Sequence, residues 1–109
     1  MSRSADYYLA DAIAFCERVI ELGDRSGFPH EQDVRELVHL NLILLGEAVT
    51  NLVRVEPIFD EAITERPSIT RFRNNLTHRY WRIDPSIVRE VVKVHVPLLL
   101  SELKAQLPE

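Results

Sequence analysis

Cysteine occurs once in this sequence, glycine three times, and no tract of serine, glutamine or glycine interrupts it. A single thiol, Cys16, cannot build an internal disulfide framework or a cysteine-rich zinc site, and it fits a reducing compartment, so the cytoplasm is the expected location. So few glycines give too little turn density for an all-β sandwich of this length, and the missing low-complexity tracts exclude flexible linkers and collagen-like repeats. Long apolar runs are also missing. The first 15 residues carry acids inside their apolar part and do not read as a signal peptide. The most apolar run, residues 37–45, contains His39 and Asn41 and falls far short of a membrane span, so no membrane association is expected. No pair of His, Asp or Glu has metal-ligand context and no glycine-rich phosphate loop is present, so neither a metal nor a cofactor is expected.

What remains is an ordinary globular composition, 46% hydrophobic and 28% charged over 109 residues, which fits one domain spanning 1–109. The periodicity is helical. Leu9, Ala12, Ile13, Cys16, Val19 and Ile20 recur at the spacing of one helix face, with Ser4 as a candidate cap and Gly23 as a stop. Residues 24–31 form a loop by composition, and a second helix is expected from about His30 to Val55, roughly 39 Å long. Its Leu37, Val38, Leu40, Leu42, Ile43, Leu44, Leu45, Ala48, Val49, Leu52 and Val53 surround most of the axis. A helix apolar all round must be covered on every side, and three short neighbours leave part of it bare, so a second copy of the chain is expected to cover the rest. Pro57 and Pro67 bracket a short amphipathic piece. A brief helix is expected from Ser68 to about Leu76, with Asn74 and Asn75 as terminators, followed by an exposed connector over 77–83. Asp84 before Pro85 is the clearest helix start, and the last helix should kink near Pro97. The expected fold is an all-α antiparallel bundle of four to five helices.

The net charge of −4 argues against a general nucleic-acid coat protein, but it hides a local reversal. Between residues 66 and 89 six arginines (66, 71, 73, 79, 82 and 89) face one acid, Asp84, a balance of +5 that leaves −9 for the rest of the chain. Arginine's planar fork matches phosphate oxygens, and the interleaved Phe72, His78, Tyr80 and Trp81 could stack on unpaired bases. A solvated face, or pairing with helix acids, is the plainer explanation of such a cluster.

RNA can be cut without a metal if a base assists attack of the ribose 2′-OH on the adjacent phosphate and a cation stabilises the charge on phosphorus. Histidine suits the first task, since an imidazole exchanges protons near neutral pH, and arginine suits the second. Four Arg/His pairs have four to six residues between them: Arg25 with His30, Arg71 or Arg73 with His78, and Arg89 with His95. Arg25 and His30 lie among acids that repel a polyanion. Arg89 and His95 point apart on one helix. His78 lies in the only basic window. An ideal helix would separate Arg73 and His78 by about 140°, so their convergence within one chain requires the helix to stop near Leu76.

The segment Arg73-Asn74-Asn75-Leu76-Thr77-His78-Arg79-Tyr80 resembles the signature of HepT-like HEPN proteins, the toxin half of HEPN/MNT toxin–antitoxin pairs. Leu45-Gly46-Glu47-Ala48, the order from Tyr80 to Asp84, and the Val96-Pro97 break extend the resemblance along essentially the whole chain. It implies an all-α HEPN homodimer and metal-independent RNA cleavage at a cleft lined by Arg/His motifs of two protomers. His78 would be the general acid/base, Arg73 the phosphate and transition-state clamp, and Asn74 an RNA-orienting group. Arg71, Arg79 and Arg82 would support RNA binding, with Glu47 supporting Arg73 or the dimer seam. Tyr80 would accept AMP from a cognate MNT-type nucleotidyltransferase antitoxin, an anionic block two residues from His78. Trp81 departs from the smaller residues or Phe usual at its place. Two other readings stand beside this one: a non-catalytic helical module that binds RNA or a nucleotidyltransferase, and a substrate-binding subunit for a nucleotidyltransferase acting on another small molecule. His39 and His95 are expected in the core or an interface, and Cys16 is expected to be buried and inert.

Overall fold

A computed structural model describes residues 3–79 and 82–108. Among the described residues, six α-helices follow one another: α1 (Arg3–Gly23), α2 (Gln32–Val55), α3 (Phe59–Ala62), α4 (Arg66–Arg79), α5 (Pro85–Glu90) and α6 (Val96–Lys104), with a π-helical segment, Val91–His95, joining α5 to α6. No strand occurs among the described residues, so the all-α expectation holds. The α1–α2 hairpin forms the centre, α6 and the π segment pack on α1, and α4 packs on α2.

The core follows the apolar spacing. Leu9, Ala12, Cys16, Val19 and Leu22 of α1 meet Val38, Leu42, Leu45, Val49 and Leu52 of α2, and Ile69, Phe72 and Leu76 bring α4 into the same cluster. At 24 residues, α2 is about 36 Å long, close to the 40 Å long dimension of the molecule. Over its full length it is apolar enough to cross a membrane by composition, which the 37–45 run alone is not. The five α2 side chains just named are nevertheless buried inside the bundle. Of the large apolar side chains of α2 only Leu40 is exposed, at 51%, with Tyr7 of α1 exposed at 63% and others, such as Ile58 and Leu98, exposed elsewhere.

The helix ends show which signals held. α1 ends at Gly23, where a Cβ would lie 2.5 Å from Val92 Cγ1, so only glycine admits the π segment this closely. Lys93 Nζ then donates to the Gly23 carbonyl oxygen at 2.9 Å and reaches Asp24 Oδ1 at 3.1 Å, placing a cation at the negative end of α1. Asp84 caps α5 as expected: its Oδ1 accepts from Ser86 N at 2.8 Å and from the Ser86 hydroxyl at 2.9 Å. The bond from that backbone N–H, then the hydroxyl, hold the Asp84 carboxyl below its usual range. The expected break at Pro97 takes the form of a widened turn. Pro97 has no N–H to return, and Val96 N reaches back five residues to the Val91 carbonyl. Two starts differ from expectation: α1 begins at Arg3, so Ser4 lies within its first turn, and α2 begins at Gln32 rather than His30.

Cys16 is fully buried, and burial, with Glu17 nearby, pushes its thiol up to about 12, which makes it unreactive as expected. His39 is also buried, at 2% exposure. Burial first, then the Arg35 guanidinium, hold its imidazole below the ordinary 6.5 against the opposing pull of Glu36. The unfolded chain therefore takes up a proton at His39 that the folded chain refuses. Stability is greatest above about pH 6.5 and declines as the pH falls from there toward the lowered folded value. Urea unfolding at about pH 7.5 and about pH 5.5 should show a lower midpoint at the acidic pH, and His39→Leu should remove most of that difference. An unchanged difference in the variant would assign the effect to other groups.

Candidate active site

The arginine-rich window falls on α4 and the start of the following segment. Contrary to expectation, α4 does not stop near Leu76 but continues through His78 to Arg79. Leu76 is fully buried and draws the next turn onto the core. The Thr77 hydroxyl donates to carbonyls of the preceding turn, Arg73 at 3.2 Å and Asn74 at 2.9 Å. The Asn74 side chain, a possible terminator, instead accepts from Arg73 Nη2 at 3.1 Å. Two basic side chains, His78 and Arg79, stand in the last turn, where the helix dipole favours them.

This continuation decides the geometry. Five residues along an unbroken helix turn Arg73 and His78 about 140° apart, so the two side chains leave α4 on different flanks. Arg73 faces α2. A Cβ on Gly46 would lie 2.7 Å from Arg73 Cβ, 2.8 Å from its Cδ and 3.0 Å from its Cγ. Gly46 is thus the place where the arginine stem crosses α2, and the Gly-Glu-Ala segment acquires a physical reason. Beyond this contact, Arg73 shares a hollow of about 330 Å³ with Glu47, Thr50 and Asn51. Its Nε is buried without a hydrogen-bond partner, a donor left for an incoming acceptor. Glu47 is exposed on α2. It forms no ion pair with Arg73 among the described residues, so the expected direct support is replaced by a shared rim: solvent, rather than a partner, accommodates this carboxylate.

His78 is exposed at the far end of α4, and no hydrogen bond or ion pair holds its ring among the described residues. On the helix it stands only about 20° from Arg71, seven residues earlier. Arg71, Asn74, Arg79, Arg82 and Arg89 are likewise exposed. Of the window's arginines only Arg66 forms an ion pair with an acid among the described residues, at 2.6 Å from Asp60 Oδ1, so pairing with helix acids does not explain the cluster. Tyr80 and Trp81 lie outside the described residues. His39 is core, as expected, and His95 is half-buried with its Nδ1 2.8 Å from Glu65 Oε2, a pairing that spacing alone did not reveal. No group of three or more His, Cys, Asp or Glu is placed to hold a metal among the described residues.

A family model described as Ribonuclease HepT-like matches residues 9–106. The chain belongs to the HepT-like ribonuclease family. Both elements that carry the candidate residues, α2 with Gly46 and α4 with Arg73 and His78, lie inside the matched span, and ribonuclease activity is what membership indicates. Searches of curated proteins and of solved structures found no match.

The Gly46 contact yields a direct test. Gly46→Ala should destabilise the chain by about 1–3 kcal/mol through overpacking. In an Arg73→Gly background, where no stem remains to collide, the same change should cost little, so denaturant titrations of the four proteins should give a clear coupling energy. Equal costs in both backgrounds would contradict the close approach.

Proposed function

We propose that this chain is the toxin half of a HEPN/MNT-type toxin–antitoxin pair, a homodimeric endoribonuclease whose own side chains supply the base and the cation. The observation that carries this reading is the placement of the motif: among the described residues, His78 is exposed and unpaired at the end of α4, amid arginines that nearly all lack acidic partners. In the reaction, His78 takes the proton of a ribose 2′-OH as that oxygen bonds to phosphorus. The bond to the 5′ oxygen breaks, and the leaving oxygen takes up a proton, giving a 2′,3′-cyclic phosphate and a 5′-hydroxyl. Arg73, with its unpaired Nε, meets the negative charge that builds on the phosphoryl oxygens. Asn74 orients RNA, and Arg71, Arg79 and Arg82 draw the strand in.

A second protomer enters for two reasons. Arg73 and His78 diverge on one helix, so a site needing both is completed across two chains. The exposed Leu40 and half-buried Leu44 of α2 also run into the groove of about 290 Å³ lined by Tyr7, Leu44, Glu47 and Asn51, beside the Arg73 hollow. A two-fold axis over this face would bury these side chains and bring the two motifs to one cleft. The cognate MNT-type nucleotidyltransferase antitoxin would transfer AMP to Tyr80, adding bulk and negative charge next to His78. A cytoplasmic setting agrees with the lone buried thiol.

The divergence of Arg73 from His78 is also what a non-catalytic module binding RNA or a nucleotidyltransferase would show, so the test must separate the two. Purified dimer should cleave RNA in excess EDTA, and His78→Ala and Arg73→Ala should each lower the rate at least about 100-fold while RNA binding changes far less for His78→Ala. Co-expression with the neighbouring nucleotidyltransferase should add AMP to Tyr80, read by mass spectrometry. Cleavage unaffected by His78→Ala would remove the nuclease assignment and leave the binding module.

A further inference from the structure

On the flank of α4 away from Gly46, a cavity of about 190 Å³ opens between α4 and the π segment, lined by Ser68, Arg71, Phe72, Asn75, Val91 and His95 among others. The steps of the reaction above do not use it, although Arg71 on its wall is one of the arginines that draw the strand in. Its polar groups are held from behind. Glu65 accepts the Nδ1–H of His95 at 2.8 Å. Glu65 is itself fixed, because Glu102 of α6 accepts from Glu65 N at 3.1 Å, from Thr64 N at 3.0 Å and from the Thr64 hydroxyl at 2.5 Å. Glu65 stands outside the lining, so the nitrogen that His95 offers an occupant is Nε2, an acceptor in the neutral ring. Asn75 offers an amide donor and a carbonyl acceptor, Arg71 a cation, and Phe72 and Val91 apolar walls.

Sites for drug-sized ligands run to about 300–1,000 Å³, so a hollow of this size suits one base rather than a whole substrate. It lies along the same helix face as His78, through Arg71 and Asn75. We infer that the cavity is a nucleotide subsite for a base that presents an amino group beside a ring-nitrogen acceptor, adenine or cytosine. The amino group donates to His95 Nε2, the ring nitrogen accepts from the Asn75 amide, and Arg71 takes the attached phosphate. Uracil, and guanine on its Watson–Crick edge, present an N–H where the ring acceptor is needed and a carbonyl where the amino group is needed, leaving the His95 and Asn75 groups mismatched. This inference deepens the ribonuclease reading and rests on it for the claim that the nucleotide belongs to an RNA strand.

The test is NMR titration of the full chain with AMP, CMP, UMP and inorganic phosphate. AMP and CMP should shift the signals of Ser68, Asn75 and His95 and bind about tenfold tighter than UMP, the factor that one mismatched hydrogen bond supports. Phosphate alone should bind weakly and lose its effect in Arg71→Ala. Asn75→Ala removes an exposed side chain without touching the core, and it should bring AMP down to the affinity of UMP while leaving phosphate binding unchanged. Equal affinities for the three nucleotides, or perturbations that avoid the cavity, overturn the subsite. AMP seated in the cavity of a chain that never cuts RNA would sink the nuclease reading and keep the nucleotide site; RNA cleavage dependent on His78 with no nucleotide in the cavity would do the reverse.

Discussion

The packing of α4 across α2 at Gly46 is the contact on which the rest depends. Leu76 and Phe72 press α4 into the core, and the missing Cβ at Gly46 lets the Arg73 stem lie against the α2 backbone. An arginine stem can cover apolar surface while its head stays available, and here that head reaches a hollow with one buried N–H unmet. Since α4 is rigid through Arg79, fixing Arg73 on one flank also fixes His78 on the other. In the proposed nuclease, each protomer would thus carry two halves of a catalytic pair, completed by the halves of a second copy.

Charge and apolar surface are distributed to suit that division. Acids dominate outside the 66–89 window, and inside it most arginines have no acidic partner among the described residues, so positive charge is concentrated around α4. The exposed Leu40 and half-buried Leu44 of α2 lie along the groove next to the Arg73 hollow, which an incoming protomer would close. The His78 side holds instead a small cavity with a carboxylate-held imidazole, suited to gripping a base rather than a subunit.

Much of this was legible in the residues. The Asp84-Pro85 start, the Gly23 stop, and the burial of Cys16 and His39 all follow from local chemistry, and all are seen. The end of α4 was not legible, because asparagines signal termination only when their side chains are free to cap. Here Asn74 is engaged by Arg73, and Leu76 carries the helix onward for tertiary reasons. The fate of Glu47 was equally hidden: an acid within an apolar helix looks in need of a partner until the bundle shows which stripe faces water. The Glu65–His95 pair joins residues 30 positions apart and could be found only once α4 and the π segment were placed side by side.

The proposed division of one catalytic pair between two chains can be measured by complementation. Arg73→Ala and His78→Ala proteins, each inactive alone, would be mixed, partly unfolded to exchange subunits, refolded and assayed for RNA cleavage. A mixed dimer keeps one Arg73 and one His78 on different protomers, so the account predicts that activity returns to a sizeable fraction of the parent's on mixing. No recovery in a preparation shown to contain mixed dimers would contradict it.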